Sequence, residues 1–525
     1  MRRYNAFLWI VVALSITLGF LIGSNQEVVY NAVRPMQGAA KLNQFINYLD
    51  RDYVDKIDTD SLVTAVIQDV IKKLDPHSFY ISSEDLELIS EDMKGEFVGI
   101  GVSIFVINDT VNVIRPLEGG PSKQIGILAG DKILVANQDT LYGKNFTSKQ
   151  IVDRLRGEEG TKVNVEVYRP TTNERHDFLI ERRPVPISSV TYYLLNDETG
   201  YIQINRFAGK TSLEFSKAIQ SLKSQGMTKL ILDLRDNPGG YLYAAKQVAN
   251  TFLEEGKLIV TVESNQGKKE YSYAKAGAKF AEGEVYVLIN GQSASASEVV
   301  AGALQDNDRA WILGTRSYGK GLVQQQMPLG NDEALRLTIA RYFTPTGRSI
   351  QRPFEDGNDT YYNEINARFN SGERSDISLV PKVDTLAFTT PKGRKVYGGG
   401  GITPDIYISS SATLEEEQDA FLLGSNLINY FVFNELDERR TDFDAVQRDE
   451  FIRQPLEDAQ QWLVALQKYL IPYGIVINER NQTNATTTIK SYLALQLFDE
   501  EARIEVLNQQ DEYVQKALEK LAEKK

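Results

Sequence analysis

After two arginines and a short spacer, the chain runs through eighteen uncharged residues, 6–23, before its first polar stretch. At about 1.5 Å per helical residue such a run covers about 27 Å, close to the ~30 Å of a hydrocarbon core, and the arginines ahead of it keep the start cytoplasmic. It is expected to be an uncleaved anchor rather than a signal, because no small-residue cleavage site follows at Leu21–Ser24. From Ala39 to about Leu88 the apolar positions Leu42, Phe45, Ile46 and Leu49, then Leu62, Ala65, Val66, Val70 and Leu74, recur at three and four, which predicts an amphipathic helical hairpin for packing or dimer contact. Asp75-Pro-His-Ser-Phe-Tyr80 breaks that pattern, since Pro76 disfavours a helical residue before it. His77 in this break reads as a loop-stabilising hydrogen-bonding residue rather than a ligand or base.

Residues 95–178 change period. Val102–Ile107 and Val111–Ile114 alternate as strands, 125–135 reads as a turn and then a strand, Ser148–Leu155 is a short helix, and Lys162–Tyr168 is a closing strand. The order of these elements, with Phe97-Val-Gly-Ile-Gly-Val-Ser-Ile104, Gly120–Ile133 and Leu155-Arg-Gly-Glu-Glu-Gly160, resembles a PDZ domain of the bacterial type. Gly99, Ile100, Gly101 and Val102 form the candidate peptide-binding loop: a Gly-x-Gly turn entering a strand offers bare N–H groups to a C-terminal carboxylate, and the strand edge accepts an extra strand. From Pro184 to about Ser410 short β-rich runs at 200–205, 229–234, 258–262, 285–290 and 311–314 alternate with helical stretches at 211–225, 241–254 and 296–307, an α/β pattern with a mixed sheet flanked by helices. After Thr413 the chain turns to polar amphipathic helices, including 453–469 and 499–525, around an Asn/Thr-rich loop at 478–488.

The 525 residues suffice for three or four domains, with 42% hydrophobic, 10% aromatic and 25% charged residues, the balance of folded protein. A net charge of −13 without a basic cluster interleaved with aromatics argues against nucleic acid as a partner. With no cysteine, a thiolate nucleophile, a disulfide framework and Cys-ligated zinc are excluded. The two histidines, His77 and His176, lie ninety-nine positions apart, so a base in the C-terminal two thirds is something other than histidine.

Chemistry concentrates in Asn290-Gly-Gln-Ser-Ala-Ser-Ala-Ser-Glu-Val-Val-Ala-Gly-Ala303, where a strand gives way to an apolar helix through three alternating serines. A hydroxyl at such a junction is exposed at the sheet edge beside the free N–H groups of a helix start, which suits a nucleophile. Taken alone, the segment fits an ordinary serine N-cap better. The odds change with Arg316-Ser-Tyr-Gly-Lys-Gly-Leu-Val-Gln-Gln325, where Lys320 stands between two glycines. A lysine acts as a base only when neutral, which requires burial to bring its pKa from about 10.4 toward about 7–8, and close packing around Gly319 and Gly321 allows that. Gln324, four residues on, is placed to orient the amine.

Leu230-Ile-Leu-Asp-Leu-Arg-Asp-Asn-Pro-Gly-Gly240, Ser293-Ala-Ser-Ala-Ser-Glu298, Tyr318-Gly-Lys-Gly-Leu-Val-Gln324, Tyr342-Phe-Thr-Pro-Thr-Gly-Arg-Ser-Ile-Gln351 and Tyr397-Gly-Gly-Gly-Gly-Ile-Thr-Pro-Asp405 together resemble the C-terminal processing peptidases, tail-specific serine proteases, in order over residues 40–408. The resemblance implies Ser295 as nucleophile, Lys320 as base, Gln324 as its assistant and an oxyanion hole from the N–H groups of Ala296 and Gly239. It also implies a crotonase-like α/β core and no metal or organic cofactor. The expected layout is an anchor or signal at 1–25, a helical region at 26–90, a PDZ domain at 91–180, a serine protease core at 181–410 and a helical extension at 411–525. Protein substrates are expected to enter as unfolded C-terminal tails, delivered or gated by the PDZ domain, to a single-pass inner-membrane protein whose catalytic part faces the periplasm, with a homo-oligomer left open.

Three rival patterns fail on their own chemistry. Gly314–Lys320 starts like a phosphate-binding loop, but Gly321 stands where a hydroxyl must reach magnesium. Ser272-Tyr-Ala-Lys275 has the Ser-x-x-Lys spacing without its companion motifs, and Gly291–Ser295 lacks the last glycine of a hydrolase elbow and any downstream histidine. A silent peptide-binding scaffold sits poorly with intact Ser295, Lys320 and Gln324.

Overall fold

Leu230, Ile231 and Leu232 are three consecutive apolar residues, all fully buried in the strand Lys229–Asp233. Such a run belongs in a sheet covered on both faces. In the computed structural model this strand is third of six, in the order Val190–Leu194, Thr199–Ile204, Lys229–Asp233, Glu284–Ile289, Trp311–Gly314 and Ile406–Tyr407. The first pair is antiparallel and the others are parallel. One face carries Ile202, Leu230, Leu232, Val287 and Ile312 into a core shared with the helices Thr211–Ser224, Leu242–Asn250 and Ala296–Asp306. The other carries Tyr201, Ile231, Tyr286 and Leu313 against Val514, Ala517 and Leu521 of the helix Glu512–Glu523. The C-terminal extension therefore closes the second face of the central sheet.

The described residues are 37–373, 376–380, 386–409, 424–443 and 445–523, and the chain divides into the compact units 1–74 and 75–525. The first unit contains the helices Gln37–Asp52 and Thr59–Ile71, the latter started by Asp58, whose carboxylate accepts from the N–H groups of Asp60 and Ser61. The segment expected to span a membrane, 6–23, lies outside the described residues. Among the described residues no helix is long and apolar enough to cross a membrane. The longest, Gln37–Asp52 and Gln482–Leu497, have 16 residues each and reach only about 24 Å. The expectation of a single-pass anchor, with the membrane partnership and inner-membrane location drawn from it, is corrected to this extent: no described helix carries it.

In the second unit a sheet runs in the order Phe79–Ile81, Glu333–Phe343, Leu258–Ser264, Lys269–Tyr273, with Leu322–Gly330 also paired to Glu333–Phe343. Between the first of these strands and the central sheet the chain makes a β-rich excursion. Its neck is the antiparallel pair Glu96–Gly99 with Arg183–Pro186. Beyond the neck, Val102–Ile107, Thr110–Pro116, Lys132–Ala136, Lys162–Arg169 and Glu174–Glu181 form one sheet in that order, with Asp139–Thr140 paired to Lys132–Ala136. The helix Ser148–Leu155, capped by Thr147 and Gln150, buries Ile151 and Leu155 in the same core. This is the inserted PDZ-like region, and Val102–Ile107 is an edge strand of its sheet.

The C-terminal helices depart from the expected boundaries. The expected helix 453–469 is divided into Arg448–Arg453 and Ala459–Leu470, with Pro455 in the break. The expected helix 499–525 is divided into Glu500–Asn508 and Glu512–Glu523. The expected loop 478–488 becomes helical from Gln482, because Ala485, Ile489 and Leu493 bury into a bundle with Phe431, Leu436 and Leu466. Burial on that face outweighs the weak helix propensity of the Asn/Thr run.

Candidate active site

Of the three alternating serines, two are committed to backbone. Ser293 Oγ donates to the carbonyl of Leu234 at 2.8 Å and accepts from the N–H of Asn290 at 2.9 Å; Ser297 Oγ donates to the carbonyl of Asn237 at 3.0 Å. Both are fully buried. Ser295 lies between them, at the start of the helix Ala296–Asp306, and lines a cleft of about 730 Å³ together with Lys320 and Gln324. The local backbone explains why the middle residue alone reaches the cleft. Ser295 has φ +53° and ψ −111°, a conformation that costs a non-glycine residue about 1–3 kcal/mol and swings its side chain off the helical path.

Buried polar contacts hold that strain. Glu298 Oε2 accepts from the N–H of Ser295 at 2.8 Å and of Lys320 at 2.9 Å, while Oε1 accepts from the N–H of Gly319 at 2.8 Å and from Ser317 Oγ at 2.6 Å. Burial pushes the Glu298 carboxyl up, and the four donors offset only part of that rise. One side chain thus ties the serine turn to the lysine turn. A second tie is the buried Tyr342 hydroxyl, 3.0 Å from the carbonyl of Ser295 and 2.7 Å from that of Lys320. Glu298 and Tyr342 stand inside motifs of the sequence but carried no role there, since the turns they join are about twenty and forty-seven residues away and meet only in the fold.

Lys320 occupies the turn after the strand Trp311–Gly314. Gly319 has φ +90°, and a Cβ there would stand 2.5 Å from Arg352 Cγ, so the close packing expected around the lysine requires a glycine. Lys320 Nζ donates to Gln324 Oε1 at 2.8 Å. The Gln324 amide in turn donates to the carbonyl of His77, which orients the glutamine oxygen toward the lysine. Burial first, and then the charge of Arg336, bring the Lys320 pKa down to about 8. No hydrogen bond joins Ser295 Oγ to Lys320 Nζ among the described residues.

His77 is held by its own hydrogen bonds: its N–H donates to Asp75 Oδ1 at 2.8 Å and its Nε2 lies 2.8 Å from the Tyr361 hydroxyl. Burial, reinforced by the charge of Lys320, lowers its pKa to about 3, so the imidazole is neutral at ordinary pH. Its carbonyl, rather than its ring, is what meets the Gln324 amide.

Gly239 sits against the serine turn: a Cβ there would be 2.8 Å from Ser295 Cβ and 3.0 Å from the Ala296 nitrogen, and its φ is +104°. Its N–H donates to Asn237 Oδ1 at 2.8 Å. Asn237 is fully buried, donates to the carbonyl of Ile204 at 2.7 Å, and accepts on its own carbonyl from Ala294 at 3.0 Å, so it pegs this loop to the serine turn. The N–H groups of Ala296 and Gly240 have no acceptor among the described residues. Ser295, Ala296, Gly239, Lys320 and Gln324 thus line one cleft. Gly99, Ile100, Gly101 and Val102 lie outside its lining, in the PDZ-like region. There Gly101 has φ +73° with its carbonyl 2.9 Å from the N–H of Leu117, and the N–H groups of Ile100 and Gly101 have no acceptor among the described residues. Ser272 and Lys275 are absent from the cleft lining.

The model of peptidase family S41 matches residues 198–356, which span both the serine and lysine turns. The carboxy-terminal-processing protease of Bartonella bacilliformis is 37% identical over 346 residues, covering 65% of this chain and 76% of that one. The chain belongs to the carboxy-terminal-processing proteases of family S41. It is a serine-type endopeptidase with a PDZ-like domain. A probable CtpA-like serine protease of Staphylococcus aureus (strain COL) is 33% identical over 343 residues, covering 65% of this chain and 68% of that one. Among solved structures, a photosystem II D1 C-terminal processing protease is 25% identical, covering 71% of this chain and 88% of that one, with a TM-score of 0.38.

Proposed function

We propose that this carboxy-terminal-processing protease cleaves peptide bonds with Ser295 as nucleophile and Lys320 as general base, oriented by Gln324, on a crotonase-like core. The observation that carries the assignment is the hydroxyl accounting: Ser293 and Ser297 are spent on carbonyls, while Ser295 opens on the cleft that Lys320 enters. A lysine with a pKa of about 8 is neutral in a useful fraction at neutral pH, as a base requires.

In the proposed reaction the Lys320 amine turns from Gln324 to Ser295 and takes its proton as Oγ attacks the substrate carbonyl. The carbonyl oxygen becomes an oxyanion held by the N–H of Ala296 and by the loop at Gly239, whose N–H exchanges Asn237 for the substrate. Lys320 then gives the proton to the leaving amine, and water, deprotonated by the same lysine, hydrolyses the acyl-enzyme and restores the serine. Substrates enter as loosely folded C-terminal tails: the bare N–H groups at Ile100 and Gly101 suit a terminal carboxylate, and the edge strand Val102–Ile107 suits an added strand.

The test is cleavage of a loosely folded protein with an apolar tail by the full chain, comparing wild type with Ser295→Ala and Lys320→Ala. Both variants are expected to fold and to lose turnover by at least about a thousandfold. Undiminished cleavage by either would overturn the dyad.

A further inference from the structure

The same cleft holds an arginine to which the proposed chemistry assigns no bond. Arg336 lies on the strand Glu333–Phe343, paired with Phe79 on one side and Gln326 on the other, and it lines the cleft with Ser295 and Lys320. Two positions along the same strand, Thr338 pairs with Gln324, so Arg336 is one side-chain repeat away from the residue that holds the lysine. Arg206 also lines the cleft and is answered by Asp92 at 3.1 Å. Arg336 has no carboxylate partner among the described residues; its contacts are one long hydrogen bond to Gln326 Oε1 at 3.4 Å and the Phe79 ring, 5.3 Å from the guanidinium carbon. In a chain with 71 acidic residues and a net charge of −13, a cleft arginine left without an acid is a vacancy for an anion brought by something else.

We infer that Arg336 is a specificity-determining residue that binds a carboxylate on the substrate close to the scissile bond. The reading rests on the proposed site, and it names the substrate class as peptide tails bearing an anionic group within reach of the cleft. A guanidinium fork matches a carboxylate with two parallel hydrogen bonds, and half-burial against Phe79 strengthens that pairing relative to solvent. Burial also lowers the arginine's own pKa and its charge lowers that of Lys320, which fits a cation held near the lysine in a poorly solvated cleft. The carboxylate has two possible sources: an Asp or Glu side chain, or the free C-terminus of a short leaving segment.

The experiment measures kcat and KM of the full-length enzyme on four matched tail peptides, with Glu or Gln beside the cleavage site and with a free or amidated C-terminus. Wild type, Arg336→Gln and Arg336→Lys are compared at pH 9, and each ratio is taken between substrates of one enzyme, so that a change in Lys320 protonation cancels. The inference expects wild type to favour a carboxylate at one of the two places by at least about tenfold in kcat/KM, chiefly through KM. That ratio should collapse toward one in Arg336→Gln and be partly kept in Arg336→Lys. Preference in the Glu/Gln arm identifies an acidic side chain, and preference in the acid/amide arm identifies the chain end. Where turnover is too slow, the same ratios are read as Kd on Ser295→Ala and on Ser295→Ala combined with Arg336→Gln. A wild-type ratio near one, or an unchanged ratio in Arg336→Gln, would overturn the inference and leave the dyad intact. Full cleavage by Ser295→Ala would instead overturn the dyad.

Discussion

Arg235 reaches across from the central sheet to the C-terminal extension, donating to Asp511 Oδ2 at 2.8 Å and Oδ1 at 3.0 Å. Its other hydrogen bonds go to Asp233, including one from Nη2 at 2.6 Å, and it stands two residues before Asn237, the peg of the glycine loop beside Ser295. The extension thus braces the strand end from which the site is built. Near the end of the extension Leu521 is 3% exposed beneath the sheet. Leu521→Ala is expected to destabilise the second unit by about 2–4 kcal/mol, seen as a lower denaturant midpoint, and to speed amide exchange at 229–233.

The low pKa of Lys320 makes opposite demands on activity and stability. Activity should be lost below pH 8, falling about tenfold per pH unit, and should level off above it, as read from kcat/KM against pH. Because the folded-state value lies below that of an exposed lysine, the unfolded chain holds the proton more tightly, and stability rises with pH between about 8 and 10.5. Below that window the buried charge costs on the order of 3 kcal/mol. Lys320→Met should therefore raise the thermal midpoint at pH 7 while abolishing turnover.

In the proposed mechanism Gln324 orients the base without adding charge. Gln324→Glu sets a carboxylate beside the Lys320 amine, now 2.8 Å from the amide oxygen, and an opposite charge favours the protonated lysine. The acid limb of kcat/KM should move above pH 8, whereas Gln324→Ala should lower kcat at every pH by about ten- to a hundredfold without that displacement.

Glu298 joins two turns through four accepted hydrogen bonds in a fully enclosed place. Glu298→Ala leaves those donors without acceptors, at about 1–3 kcal/mol for each one that finds no water. A loss of at least about 3 kcal/mol and of measurable cleavage is expected; a stable, active Glu298→Ala protein would contradict this account of how the serine turn is held.

The PDZ-like region leans on the extension through aromatic contacts. Phe105 on the edge strand stacks on Tyr430 at 4.0 Å between ring centroids, with Phe433 edge-on at 5.9 Å. Lys132 adds an ion pair to Asp437 at 3.7 Å. Phe433→Ala should release this contact, seen as faster hydrogen exchange over 102–107 with the strands of the central sheet unchanged.

Period and motif were enough, without any fold, to separate the β-rich insert from the α/β core, since alternation at Val102–Ile107 and solid apolar runs at Leu230–Leu232 are local properties. The family motifs around Ser295 and Lys320 were legible for the same reason, each lying within a dozen residues. The C-terminal boundaries were not, because the helix from Gln482 is stabilised by partners such as Phe431 and Leu466 far along the chain. Nor was the singling out of Ser295 by its neighbours' hydroxyls, which depends on the carbonyls of Leu234 and Asn237 about sixty residues earlier. Glu298, Tyr342, Asn237 and the carbonyl of His77 act across separations of up to 247 residues, and Arg336 is distinguished only by the carboxylate it does not meet. Local periodicity and short motifs are written in consecutive residues; which donor meets which acceptor, and which charge is left unanswered, is decided only when the chain folds back on itself.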